Sequence, residues 1–354
     1  MWTPKRKRSP TDSDSATILA QRPHRSPGDE SRSDEDLEAE IDALTGQNRA
    51  ARRRETERRL LELRHQLGIS RLGAPPGAQH PAPDAAALPT VASGLPQINA
   101  GDLTPGLLRA GILRDGCLLV RGLTDREAAL GFAAQIDRSF AEREAHDTGA
   151  APEAGYYEEF DPLPGSGDPI AREWIKMGGG VLAVDTPMLT FEMMELFQTA
   201  GLPELVRGYL GEAPLFSAQK TTLRKADPSV PGAWHQDGAF MGEVRALNLW
   251  LSLSRCGDES PGLDIVPRRL NEFVTAGTDE AMLDYQVSQK AAEAAADDRP
   301  IVRPIFEPGD ALFFDDLCLH KTGSDPSMPK PRYAIESWFF GASAFPTEYA
   351  PIAV

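Results

Sequence analysis

The feature that most constrains this chain is a change of texture near residue 211. Before it the pattern is helical; beyond it short strands follow one another at close spacing. Leu215 to Arg224, Arg245 to Leu253, Gly262 to Val266, Ile301 to Glu307, Ala311 to Phe314 and Tyr333 to Phe340 all read as strands. Several alternate with a two-residue period, as in Ala246-Leu247-Asn248-Leu249-Trp250-Leu251. Many short strands in series protect their edges by forming a sandwich or double-sheet barrel. Helices first and strands afterwards exclude an alternating parallel-sheet fold. The expected class is mainly β with flanking helices, a jelly roll.

The segments ahead of the strands differ in kind. Residues 1–33 are rich in Ser, Pro, Asp and Arg, so they read as a disordered tail that cannot bury enough apolar surface to offset its ordering entropy. Lys5-Arg6-Lys7-Arg8 within it is either a targeting signal or a solvated basic cluster. Residues 34–68 read as one long helix that starts at Ser33 with Asp36 and stops at Gly68. Leu37, Ile41, Leu44, Asn48 and Ala51 follow the four-three spacing of a coiled-coil seam with one polar inner position, a basis for self-association. The alternative is an amphipathic helix lying on its own domain. An Ala/Pro-rich linker, residues 69–100, precedes the main domain, 101–354. Within that domain Leu103–Leu113, Asp125–Arg143, Pro187–Thr199 and Leu202–Leu210 read as helices, and Gly116–Gly122 as a buried strand. The irregular stretch 147–185, with Tyr156 and Trp174, reads as a substrate lid.

Charge narrows the partners. The chain carries a net −16; residues 1–100 hold 15 Lys/Arg against 14 Asp/Glu, so the remainder holds 22 against 39. A folded part this acidic repels phosphate backbones, which speaks against a nucleic-acid partner. No apolar run has the length of a membrane span, and no apolar segment follows the basic start, so neither a membrane partner nor a secretory signal is expected. Cys117, Cys256 and Cys318 are too few and scattered for a disulfide framework, and a cytoplasmic location is the simplest reading.

Only two of the six histidines, His235 and His320, lie in the strand-rich part. In Trp234-His235-Gln236-Asp237 the imidazole and the carboxylate are two residues apart, so both face one side while Gln236 turns away. His320, at the end of an apolar strand, would join them from a facing strand. Two imidazoles and one carboxylate on one face of an iron ion leave the remaining positions open. Singly, each histidine is as well explained by a hydrogen-bonded core position. Together they acquire support from Arg332, twelve residues past His320, which could grip a distal carboxylate in a two-pronged pair, and from Thr322, which could add a hydroxyl donor.

The motifs resemble those of the phytanoyl-CoA dioxygenase branch of the iron(II)/2-oxoglutarate oxygenases. The resemblance spans about residues 110–345. It rests on His235-Gln236-Asp237, Leu249-Trp250-Leu251-Ser252-Leu253, Ser260-Pro261-Gly262-Leu263-Asp264-Ile265-Val266-Pro267, Pro308-Gly309-Asp310-Ala311-Leu312-Phe313-Phe314, His320, Thr322 and Arg332. It implies a double-stranded β-helix of cupin-like kind. It further implies Fe(II) on His235, Asp237 and His320, the catalytic and metal-binding set, with 2-oxoglutarate held by Arg332 and Thr322 and lined by Trp250. The implied reaction uses O2 to hydroxylate an unactivated C–H of a small-molecule substrate, releasing succinate and CO2. With Asp237 a carboxylate, no position is vacated for a halide, which favours hydroxylation over halogenation. Where the family often continues from Pro-Gly into Ser-His, this chain has Pro267-Arg268-Arg269-Leu270, a departure beside the pocket mouth.

Further candidates for the pocket are Asn248, on the same strand face as Trp250, Gln219 from the first long strand and Lys176 from the lid. Arg224 and Arg245 read as members of structural ion pairs. Two rivals remain: a non-redox cupin-type metal-binding protein, which would want further His or carboxylate ligands, and a catalytically idle scaffold acting through its N-terminal helix.

Overall fold

The computed structural model describes residues 32–91, 94–150, 155–278, 281 and 286–354. The Lys5–Arg8 cluster and nearly all of the expected tail lie outside them. Residues 34–354 form one compact unit. It begins with helices α1 (Asp34–Ala50) and α2 (Arg54–Arg71), strand β1 (Gln97–Asn99), helix α3 (Pro105–Asp115), strand β2 (Cys117–Arg121) and helix α4 (Arg126–Asp147). There follow α5 (Arg172–Met177), β3 (Gly180–Leu182), α6 (Pro187–Thr199), α7 (Leu202–Leu210), β4 (Pro214–Ala226), β5 (Ala246–Ser252) and β6 (Gly262–Ile265). The chain ends with α8 (Gln289–Ala296), β7 (Ala311–Phe314), β8 (His320–Gly323), β9 (Arg332–Gly341) and β10 (Pro351–Ala353).

Local signals place several of these boundaries. The Thr104 hydroxyl accepts from the Leu107 amide and Pro105 opens α3, while Gly116 stops it with a left-handed φ of 84°. Asp125 caps α4 by accepting from the amides of Glu127 and Ala128.

The large sheet runs β1-β2-β7-β5-β9-β4-β10, with β3 added beside β4. Its pairings are antiparallel apart from β1 with β2. The small sheet is β6 with β8, extended by bridges from His235 to His320 and from Val302 to Ile265. Strand alternation divides β5 between two cores. Leu247, Leu249 and Leu251, all fully buried, join Leu108, Phe132, Met193 and Val206 beneath the helices. Each such side chain contributes roughly 1.5–3 kcal/mol of burial. Asn248 and Trp250 point the other way, and Trp250 packs with Leu312, Phe314, Trp338 and Phe340 and with Leu263 and Ile265 of the small sheet. Two facing sheets with helices over one outer face are the expected jelly roll.

The N-terminal segment departs from a single helix. It is an antiparallel hairpin: Glu40 pairs with Arg59 at 3.0 Å and Asp34 with Arg71 at 3.8 Å. Asn48 makes the corner, its Oδ1 accepting from the Arg53 amide at 2.9 Å and its Nδ2 donating to Glu57 at 3.0 Å. The polar residue expected inside an intermolecular seam is thus satisfied within its own chain. Leu37 and Ile41 are buried with Leu60, Leu63, Leu67, Leu215 and Ala353. Gly68 is no helix stop: α2 continues past it, and a Cβ there would lie 2.8 Å from the Pro351 carbonyl oxygen, so glycine permits the close approach of α2 to β10. The linker, too, is strapped down, the Ala78 amide donating to Gly211 and His80 contacting the Tyr209 carbonyl.

Two strand expectations are corrected. Residues 301–307 make only isolated bridges at Val302 and Phe306, with Pro304 between them. His320 does not end the apolar strand: β7 stops at Phe314, the chain turns through 315–319, and His320 opens β8 in the other sheet. Among the described residues no helix is long and apolar enough to cross a membrane.

Candidate active site

The site is built where the small sheet meets the segment after Gly232. His235 and His320 form a reciprocal backbone pair, N–H to O=C at 3.0 and 3.1 Å, which sets the two imidazoles side by side, tilted by 49° with centroids 4.5 Å apart. Gly232 allows this approach, since a Cβ there would lie 2.3 Å from the Thr322 carbonyl oxygen. Each ring turns its Nδ1 to a backbone carbonyl two residues earlier, Ala233 at 2.8 Å and Cys318 at 3.1 Å. Donation from Nδ1–H leaves the lone pair on Nε2, the second-sphere arrangement that orients a metal-binding histidine. The Phe314 ring packs against His320 at 4.8 Å.

Asp237 opens a short 3-10 turn and is buried. Its Oδ2 lies 3.9 Å from His235 Nε2 and 3.8 Å from His320 Nε2. Gln236 turns away as expected, its amide donating to the Leu317 carbonyl and accepting from the Val274 amide. The other Asp237 oxygen, Oδ1, accepts from Lys220 Nζ at 3.1 Å. Burial alone would raise the carboxyl pKa, but the charges of Lys220, His235 and His320 hold it well below the usual carboxylate range.

A ligand set must fit the group it is meant to hold. Asp237 Oδ2 is buried without a hydrogen-bond partner, and the three donor atoms converge within 4.8 Å of one another. Such an oxygen is expensive to bury unless something binds it. Two nitrogens and one oxygen suit iron(II), and among the described residues no other group of three such side chains converges in this way.

Arg332 opens β9 and is 3% exposed. One of its N–H groups donates to the Gly262 carbonyl at 3.1 Å, its Nε has no partner, and its guanidinium lies 5.2 Å from the Trp250 ring centroid. Burial lowers its pKa to about 10, so it stays charged at neutral pH. A buried guanidinium with no carboxylate at ion-pair distance among the described residues is matched to an anionic guest. Thr322 lies two residues past His320 on β8, hence on the same strand face. Asn248 is fully buried with both amide atoms unpartnered, and beside it in register Trp338 has an unpartnered Nε1. His235, Asp237 and His320 thus converge on one point, Arg332 lies over Trp250, Thr322 shares the strand face of His320, and Asn248 shares that of Trp250.

Two candidates are placed otherwise. Lys176 is exposed and paired with Asp147, away from the ligand set. Gln219 lines the adjoining cavity, but its amide is engaged, donating to the Asp168 carbonyl at 3.2 Å and accepting from the Ala350 amide at 2.8 Å. Tyr156 packs in the helix-side core, with its hydroxyl on Gln135, whereas Trp174 is 61% exposed at the cavity mouth. Arg224 pairs with Glu336 at 3.0 Å and Arg245 with Glu212 at 3.4 Å, the structural roles expected of both.

The fold and this site define an iron(II)- and 2-oxoglutarate-dependent oxygenase class. The chain belongs to the phytanoyl-CoA dioxygenase family, whose model, "Phytanoyl-CoA dioxygenase (PhyH)", matches residues 112–332. No curated protein matches the chain. Among solved structures it is similar to EctD from S. alaskensis in its apoform, with 16% identity over 77% of this chain and 84% of that one, at a TM-score of 0.48. A second similar structure is the epimerase SnoN in complex with Fe3+, alpha ketoglutarate and nogalamycin RO (20% identity, 68% and 85% coverage, TM-score 0.47). A third is AviO1 from Streptomyces viridochromogenes Tue57 (19%, 66% and 94%, 0.42). These are likenesses of fold.

Proposed function

We propose that this chain hydroxylates an unactivated C–H bond of a small molecule, consuming one 2-oxoglutarate and one O2 and releasing succinate and CO2. The observation that carries this is the pairing of a His235–Asp237–His320 set, whose Asp237 Oδ2 has no hydrogen-bond partner, with a buried Arg332 that meets no carboxylate among the described residues. Iron with bound 2-oxoglutarate would supply the oxidising chemistry. The protein's part is to hold and orient. Carbonyls of Ala233 and Cys318 fix both imidazoles with Nε2 inward, and Lys220 occupies Asp237 Oδ1 so that Oδ2 is presented. Arg332 and Thr322 would take the distal carboxylate, with Trp250 stacked under the guanidinium. Asn248 and Trp338 offer donors to the rest of the co-substrate, and the aromatic interior excludes water.

Anaerobic addition of Fe(II) and 2-oxoglutarate should give the weak visible charge-transfer band of this class. Its absence from the wild-type protein, or its persistence in His320→Ala, would sink the proposal and favour a non-redox metal protein or a scaffold.

A further inference from the structure

A cavity of about 460 Å³ opens beside His235 and Asp237. Part of the lining is apolar, with Ile170, Ile175, Trp174 and Phe240. The charged groups of the lining are unbalanced. Four carboxylates, Asp168, Asp237, Glu336 and Glu348, face two cations, Lys220 and Arg224. Both cations are already matched, Lys220 to Asp237 and Arg224 to Glu336.

The two remaining acids sit together at the mouth. The Asp168 amide donates to the Glu348 carbonyl at 2.9 Å, and both residues are exposed. Among the described residues neither carboxylate takes part in an ion pair. Glu336 lies deeper, on β9 between Arg224 and the ligand set. Among the described residues every hydrogen bond of its carboxylate, from Thr222 and from two nitrogens of Arg224, ends on Oε2, so Oε1 is open to a donor. Iron(II) and the 2-oxoglutarate dianion would offset each other's charge, so the loaded interior keeps one positive charge, on Arg332, against the two carboxylates at the mouth. Tyr349 adds a third ring beside Trp174 and Phe240, and ring faces attract cations.

We propose that this cavity selects a small cationic substrate, a protonated amine or amidinium attached to an apolar body. Asp168 and Glu348 hold its charge at the mouth, Glu336 Oε1 is left to accept from any N–H or O–H that the body carries further in, and Trp174 and Phe240 cover the apolar part. Phosphorylated and CoA-linked molecules are disfavoured by the same carboxylates. The inference rests on the oxygenase assignment for the identity of the cavity as a substrate site.

The test compares 3-phenylpropylamine, 3-phenylpropan-1-ol and 3-phenylpropanoate, three probes with one body and different charge. Each is titrated calorimetrically into the anaerobic protein loaded with Fe(II) and 2-oxoglutarate. The amine should bind roughly tenfold or more tightly than the carboxylate, the scale of two partly solvated charge contacts. Asp168→Asn with Glu348→Gln, both exposed and so harmless to folding, should bring that ratio to within about threefold. Equal affinities, including no binding by any probe, overturn the inference, as does an amine preference that survives the double substitution. Failure of the oxygenase assignment is read separately, as a missing visible band in the same loaded sample.

Discussion

Removing the Arg332 guanidinium tests the co-substrate pocket most directly. Of its five N–H donors the protein uses one, on Gly262, and no carboxylate neutralises it among the described residues. The charge is nonetheless buried, 3% exposed, so its desolvation is offset only when an anion arrives. In Arg332→Ala the distal carboxylate of 2-oxoglutarate would enter the same buried space with no cation to meet it. Truncating one partner of such a pair costs about 2–5 kcal/mol, a loss of roughly 30- to 5,000-fold in affinity. Arg332→Lys keeps the charge but loses the planar fork and its stacking on Trp250, so it should fall between the two. The assay is anaerobic calorimetric titration of 2-oxoglutarate into metal-loaded protein, with the thermal shift produced by saturating co-substrate as a second readout. An affinity within twofold of wild type for Arg332→Ala would refute the assignment of this arginine.

Four further outcomes are expected. His235→Ala, Asp237→Ala or His320→Ala should each abolish the visible band with Fe(II) and 2-oxoglutarate. Lys220→Met leaves Asp237 as an uncompensated buried charge, a loss of about 3–5 kcal/mol in metal-free protein; added metal, replacing that counter-charge, should raise the melting temperature more than in wild type. Gly232→Ala puts a Cβ 2.3 Å from the Thr322 carbonyl oxygen, so it should spread the His235–His320 bridge and weaken metal binding measured by calorimetry. His65 is buried, with Nδ1 on the Pro351 carbonyl and Nε2 accepting from the Leu163 amide, and burial holds its pKa below 6.5. The unfolded chain therefore takes up the proton first as pH falls, so this contribution is full above about 6.5 and is lost as pH drops toward the depressed value. Denaturant midpoints against pH should show a shallower decline over that window in His65→Gln than in wild type.

Much of the fold was legible because strand alternation is a short-range signal. The period of two placed Asn248 and Trp250 on one face of β5 and the leucines on the other, as found. The same count, carried along β4 from Thr222 and Arg224, points to Lys220, yet Gln219 was the residue singled out. The register shift between Phe216 and Thr221 brings both to the cavity and hides which of them reaches Asp237. Glu336 was missed for a different reason. A carboxylate in an apolar strand is informative only once its partner is known, and Arg224 is 112 residues away. Asn48 shows the limit of periodicity: four-three spacing fits an intermolecular seam and an intramolecular hairpin equally well, and only the Arg53 and Glu57 contacts separate them.

The reciprocal backbone pair between His235 and His320 has a consequence for how such a protein can change. Ladder hydrogen bonds between two strands set the spacing of the imidazoles, so exchange of surface loops leaves it intact while a one-residue slip of either strand abolishes it. The cavity mouth, by contrast, is carried by irregular chain: Asp168 to Ala171, the exposed helix α5, and Glu348 with Tyr349. On the proposed assignments, reaction type and substrate choice reside on parts of the chain that can vary separately. New substrate preferences are best sought by randomising residues 168–175 and 348–349, with residues 232–237 and 318–323 left untouched.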